Sequence, residues 1–146
     1  MTTGSPMIRQ AGLQDVEQLV VLFCSGAKGI RLPPETCVPE NRQRLHDLMR
    51  AWCEQERVWA LSEADHISGM VVVERFKKGR VISGIEYVVV AESCRGQHRV
   101  GPALVRHVQT LPDVTDLRVT ALNPHSRKLL ENCGFWLDPK PNRMWT

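Results

Sequence analysis

Between residues 58 and 91 the chain carries three β-rich runs with almost nothing between them, and this stretch limits the available folds more than any other. "VWALSEA" (58–64) and "ISGMVVVERF" (67–76) are parted only by Asp65-His66, and "KKGR" alone precedes "VISGIEYVVVA" (81–91). Runs rich in β-branched residues with such short connections form an antiparallel meander. Helical periodicity lies on both sides of it. Leu13, Val16, Leu19, Val20 and Phe23 repeat at amphipathic spacing after a short strand, "MIRQA" (7–11). Leu45, Leu48, Met49, Trp52 and Cys53 mark one face of a second helix from about Glu40 to Gln55. After the meander, Val100, Ala103, Leu104, His107, Val108 and Leu111 mark a third, which starts near Val100 or Gly101 because Pro102 is tolerated only in a first turn.

"DLRVTAL" (116–122) reads as another strand. "NPHSRKLLENCGF" (123–135) reads as a short helix, with Asn123 as its cap, Pro124 in its first turn and Gly134 at its stop. A last strand pair, "FWLD" and "RMWT", spans "PKPN". The order β-α-α-β-β-β-α-β-α-β-β predicts an α+β fold: one domain over residues 1–146, with a mixed, mostly antiparallel sheet of about six to seven strands and about four helices on its faces.

Bulk properties narrow the function. Hydrophobic residues make up 42% and charged residues 24% of the 146, as in ordinary folded domains. A net charge of +3 is too mild to suggest a nucleic-acid partner. No run approaches the roughly 18 apolar residues of a membrane span, and "MTTGSPMIRQ" lacks a signal-peptide core, so a cytoplasmic protein is expected. Five scattered cysteines (Cys24, Cys37, Cys53, Cys94, Cys133) without a CxxC pair suit reduced thiols, and no metal site is expected.

One loop stands out, "CRGQHRVGPALV" (94–105), where the third β-run gives way to a helix. Unpaired N–H groups and aligned peptide dipoles at a helix N-terminus suit a phosphate group. Gly96 and Gly101 would admit the backbone close to such an anion, and Arg95, His98 and Arg99 would add charge-assisted contacts. The other reading is a tight turn whose arginines are solvated. Neither the dinucleotide fingerprint nor the P-loop pattern is present.

The run "IEYVVVAESCRGQHRVGPALV" (85–105) resembles the motif of the GNAT superfamily of acyl-CoA-dependent N-acyltransferases, in which a strand ends in an Arg/Gln-x-x-Gly-x-Gly/Ala loop followed by a helix. "NPHSRKLLENCGF" is similar to that family's Asn-x-x-Ala-x-x-x-Tyr-x-x-x-Gly-Phe pattern at Asn123, Gly134 and Phe135. With the opening strand and helix and the closing "RMW", the resemblance covers nearly the whole chain. Two departures stand out: His98-Arg99 replaces the middle glycine of the loop with one extra residue, and Leu130 occupies the place of a tyrosine associated with protonating the leaving thiolate.

What the resemblance implies is acetyl-CoA as co-substrate. Its pyrophosphate would lie on the loop Arg95, Gly96, Gln97, His98, Arg99, Val100 and Gly101. Its pantetheine arm and thioester carbonyl would meet the backbone at Val88 to Val90, with further contacts from Asn123 and Ser126. Glu86 is the candidate general base, since strand alternation places it on the face of Val88 and Val90, and a carboxylate among valines has a raised pKa. Otherwise Glu86 pairs with an arginine on a neighbouring strand. Asn123 is a ligand contact, a helix cap or both.

The expected reaction is transfer of an acetyl group to a primary amine of a small molecule or peptide by direct attack in a ternary complex. The alternative is a non-catalytic acyl-CoA-binding sensor or regulatory module. Residues 25–41 and "DPKPN" (138–142) would wall the acceptor site, and an exposed C-terminal strand would allow pairing into a homodimer.

Overall fold

The computed structural model describes residues 7–26, 39–76, 78, 80–91, 94, 100–120, 131–134, 136–138 and 143–145. Within these, the strands are β1 (Met7–Gln10), β2 (Val58–Glu63), β3 (His66–Phe76), β4 (Val81–Val90), β5 (Val114–Thr120), β6 (Trp136–Asp138) and β7 (Arg143–Trp145). The helices are α1 (Val16–Gly26), α2 (Arg42–Glu54) and α3 (Val100–Gln109), with single 3-10 turns at Leu13–Asp15 and Pro39–Asn41. Three α-helices are thus described where about four were expected, because most of the fourth (123–135) lies outside the described residues.

One sheet runs in the order β1-β2-β3-β4-β5-β7-β6. Every pairing is antiparallel except β4 with β5, which is parallel because α3 crosses over between them. β7 lies between β5 and β6, so the C-terminal strand is not the exposed edge proposed for pairing between subunits. Sheet topology decided this, and β6 takes the edge instead.

Pleating divides the core in two. Val58, Ala60, Met70, Val72 and Val89 face α1 and α2, where Leu19, Val20, Phe23, Leu45, Met49 and Trp52 meet them. Trp59, Leu61, Val71, Val73, Ile82 and Ile85 face Val100, Leu104, Val105 and Val108 of α3. The unbroken "MVVV" of β3 follows from this, since Met70 to Val73 are all fully buried on one face or the other. Burying each aliphatic side chain of this size contributes about 1.5–3 kcal/mol.

Two apolar positions depart from the predicted helix faces. Leu48 is 44% exposed, at the edge of a stripe centred on Leu45, Met49 and Trp52. Leu13 is 55% exposed because it belongs to the 3-10 turn and not to α1. That turn is fixed by the buried Asp15, which accepts two hydrogen bonds from Arg9 (2.7 and 2.8 Å) and one from the Gly12 N–H (2.9 Å). The Arg9 hydrogen bonds outweigh burial and hold the Asp15 carboxyl below its usual range.

Candidate active site

The parallel pairing of β4 with β5 is short. It runs from Ile82↔Val114 to Ile85↔Val119, the last pair in register among the described residues. β4 continues to Val90 beside β3, while β5 is described one residue further, to Thr120 beside β7. Backbone alternation settles which way the peptide groups of β4 face. The Ala91 N–H donates to Ser68 O of the β3 side at 2.8 Å, so the Val88 N–H, three residues earlier, is directed to the opposite side of β4, away from β3.

Just past the last described pair, β4 bulges. Its register with β3 shifts between Val72, opposite Tyr87, and Val73, opposite Ile85, which leaves Glu86 without an opposite residue. The expected alignment of Glu86 with Val88 and Val90 is therefore broken: an extra residue in one strand reverses the pleat beyond it. Val88 and Val90 pack on the α3 side, whereas Tyr87 and Val89 face α1 and α2. The Glu86 carboxylate turns instead to Arg57, whose Nη2 donates to Oε2 at 2.5 Å.

Arg57 precedes β2 and does not sit on a neighbour of β4. Its Nε donates to Val73 O at 2.9 Å and its guanidinium lies over the Trp52 ring, 5.7 Å from the centroid. Trp52, Phe23 and Tyr87 form an aromatic group beneath, with Phe23 and Tyr87 edge to face at 5.2 Å. Burial lifts the Glu86 carboxyl above the ordinary carboxylate range and Glu74 adds to this, while Arg57 opposes both. Burial likewise raises Tyr87, the one tyrosine of the chain, so it holds its proton more firmly than a free phenol.

On the opposite face of the sheet from α1 and α2, α3 begins at Val100 with Pro102 in its first turn, as its sequence predicts. Val100 and Gly101 are buried there. The start of the helix is seated by Gly69 of β3: a Cβ at that position would stand 2.5 Å from a Val100 methyl and 3.0 Å from one of Leu104. Of the expected cofactor contacts, Val88, Val90, Val100 and Gly101 thus lie near the C-terminal end of β4. Arg95, Gly96, Gln97, His98, Arg99, Asn123 and Ser126 lie outside the described residues, as do Leu130 and Phe135. Sequence reasoning missed Arg57 and the Trp52 ring beneath it. Only "ERVWA", a charged residue at the entry of an apolar strand, hinted at the first, and Trp52 read as plain core.

The fold is thus of the α+β class: a seven-stranded mixed sheet whose one parallel pair, β4 and β5, is joined by the crossover helix α3. Residues 29–135 match the acetyltransferase (GNAT) family, and the chain belongs to it. Solved structures agree in fold. A PaiA N-acetyltransferase from Thermoplasma acidophilum, in complex with coenzyme A, superposes with a TM-score of 0.76 at 11% identity, covering 97% of this chain and 96% of that one. An N-acetyltransferase from Staphylococcus aureus Mu50 gives 0.71 at 13% identity, covering 96% and 100%. A GNAT-family acetyltransferase from Bacillus cereus ATCC 10987 gives 0.70 at 14% identity, covering 98% and 97%. No curated protein matches the chain in sequence. Among the described residues no helix is long and apolar enough to cross a membrane.

Proposed function

We propose that this chain transfers the acetyl group of acetyl-CoA to a primary amine of a small-molecule or peptide acceptor, by direct attack within a ternary complex. The observation that carries the reading is that β4 runs on to Val90 past its last described pair with β5, Ile85↔Val119, with the Val88 N–H directed away from β3. A thioester carbonyl bound there would find a donor for the charge that develops on its oxygen. The loop Arg95 to Gly101 would hold the diphosphate, and Asn123 and Ser126 would flank the arm.

Glu86 takes the proton that the acceptor ammonium must lose before it can attack. The amine nitrogen then bonds to the carbonyl carbon, the C–S bond breaks with its electron pair leaving on sulfur, and the nitrogen gives up its extra proton to the departing thiolate or to water, which leaves a neutral amide. A thiol of ordinary acidity, near pKa 8.5, can depart as thiolate without a dedicated acid. That accommodates leucine at position 130 and a Tyr87 turned into the aromatic group.

The same Leu130 favours a second reading, an acyl-CoA-binding module that transfers nothing. Thiol release from acetyl-CoA across a panel of primary amines separates the two. Release that falls by about 10²-fold in Glu86→Gln supports the enzyme. Binding of acetyl-CoA in a calorimeter with no release from any amine supports the module, and an absence of binding contradicts both.

A further inference from the structure

Arg57 enters β2 one strand beyond the neighbour of β4, yet its side chain reaches the β4 bulge. It is clipped there at several points. Its carbonyl accepts from the Val73 N–H at 2.9 Å, its Nε donates to Val73 O at 2.9 Å, and its Nη1 donates to Gln55 Oε1 at 3.3 Å. The guanidinium rests on Trp52. Val73 is also the residue at which the β3–β4 register shifts, so one peptide fixes both the arginine and the place where Glu86 leaves the ladder.

We propose that Arg57 is the positioning residue of the acetyl-transfer site, holding Glu86 by Oε2 at the bulge of β4 so that the carboxylate meets the acceptor amine in its ionised form. The inference rests on Glu86 as the proton acceptor. Its basis is a planar cation held in one place by a fork of hydrogen bonds and a ring, not a freely moving surface charge. With side-chain exposures of 19% for Arg57 and 32% for Glu86, the guanidinium is mostly covered while the carboxylate stays open to solvent and to a ligand.

The charged and titratable groups around Glu86 are Arg57 from the entry to β2, Glu74 from β3 and Tyr87 beside it in β4, while α2 presents the uncharged Trp52 ring. Burial and Glu74 both favour the protonated carboxyl, and Arg57 is the cation among these groups that opposes them. Taking its charge away leaves the other two unopposed, so Glu86 must then lose its proton at higher pH.

The test is a carbon-13 titration of the Glu86 carboxyl, assigned by its loss in Glu86→Gln, in the wild type and in Arg57→Gln and Arg57→Lys. It needs no acceptor. It is paired with the pH profile of kcat/KM for the amine that releases thiol fastest. In Arg57→Gln the Glu86 resonance should titrate at higher pH, with the acid limb of the profile moving the same way and the loss of rate concentrated on the acid side. Arg57→Lys, which keeps the charge, should restore the limb towards its original place. Should Arg57→Gln fail to fold, Arg57→Met keeps an apolar stem over Trp52 and reads the same shift. An unmoved resonance and limb, or a loss equal at every pH, overturns the role of Arg57 while leaving that of Glu86 intact. If the acid limb survives in Glu86→Gln, the assignment of Glu86 falls and the inference falls with it.

Discussion

The two ends of the β4–β5 pair are built from similar parts and do opposite things. At the joined end, Arg75 lies over Trp59 at 5.5 Å, donates to Glu56 O at 2.9 Å and pairs with Asp113 at 2.7 Å, and the Asp113 carbonyl accepts from the Ile82 N–H at 2.9 Å. At the far end, past the last described pair, Arg57 lies over Trp52, binds Val73 O and pairs with Glu86. The burial of the cation differs and that of the carboxylate does not: the Arg75 side chain is 7% exposed and that of Arg57 19%, while Asp113 and Glu86 are alike at 35% and 32%. Asp113 ties β5 to the sheet, whereas Glu86 has no β5 residue in register among the described residues. The same arginine, tryptophan and carboxylate can brace two strands or stand past the last pair of a ladder, according to whether the next strand is in register.

Substitutions that weaken one end and spare the other sharpen this contrast. Asp113→Ala should cost the most, about 3 kcal/mol in denaturant unfolding, because it strips a mostly buried guanidinium of its partner. The acid limb of the rate profile should stay in place, and a shifted limb would blur the distinction between the ends. Gly69→Ala comes next, at about 2 kcal/mol, since the new methyl overlaps Val100 and must lever the start of α3 from the sheet. Calorimetry should show weaker acetyl-CoA binding in that variant, whereas Asp113→Ala should bind as the wild type does.

The Asp15–Arg9 pair serves as a control remote from both ends. Its carboxyl titrates lower in the folded state than its ordinary value of 3.8. Its contribution is therefore complete above that pH and is lost as pH falls through the depressed folded value. Asp15→Asn should cost about 1.5 kcal/mol at neutral pH and should flatten the acid-unfolding curve below pH 3.8, as followed by circular dichroism. The smallest effect is a gain. Glu56 closes α2 in the left-handed region at φ 58°, so Glu56→Gly should stabilise by about 0.5–1 kcal/mol in thermal unfolding and alter neither end.

How far the sequence reveals this contrast depends on how local each feature is. The start of α3 is legible because Pro102 and the apolar spacing are properties of neighbouring residues, and the buried β3 is legible because "MVVV" needs two covered faces. Glu86 is a different matter. Strand alternation gives its face correctly only while the ladder is unbroken, and the break is set by pairing with Val73, thirteen residues back, and by Arg57, farther still. The Arg57–Glu86 pair has the same origin, as its members stand 29 positions apart with β2 and β3 between them in the chain. The C-terminal strand shows the limit of local reading again. "RMW" is plainly β-forming, but only the topology seats it inside the sheet between β5 and β6.

The central claim is that the β4 backbone past Ile85 receives the thioester arm, and amide NMR of the nitrogen-15-labelled protein titrated with acetyl-CoA tests it most directly. The amides of Val88 and Val90 should shift strongly and exchange more slowly with solvent, while those of Ile82 and Val114 at the joined end stay where they are. Shifts confined to the joined end, or an unchanged Val88 amide in protein saturated with acetyl-CoA, would contradict the account.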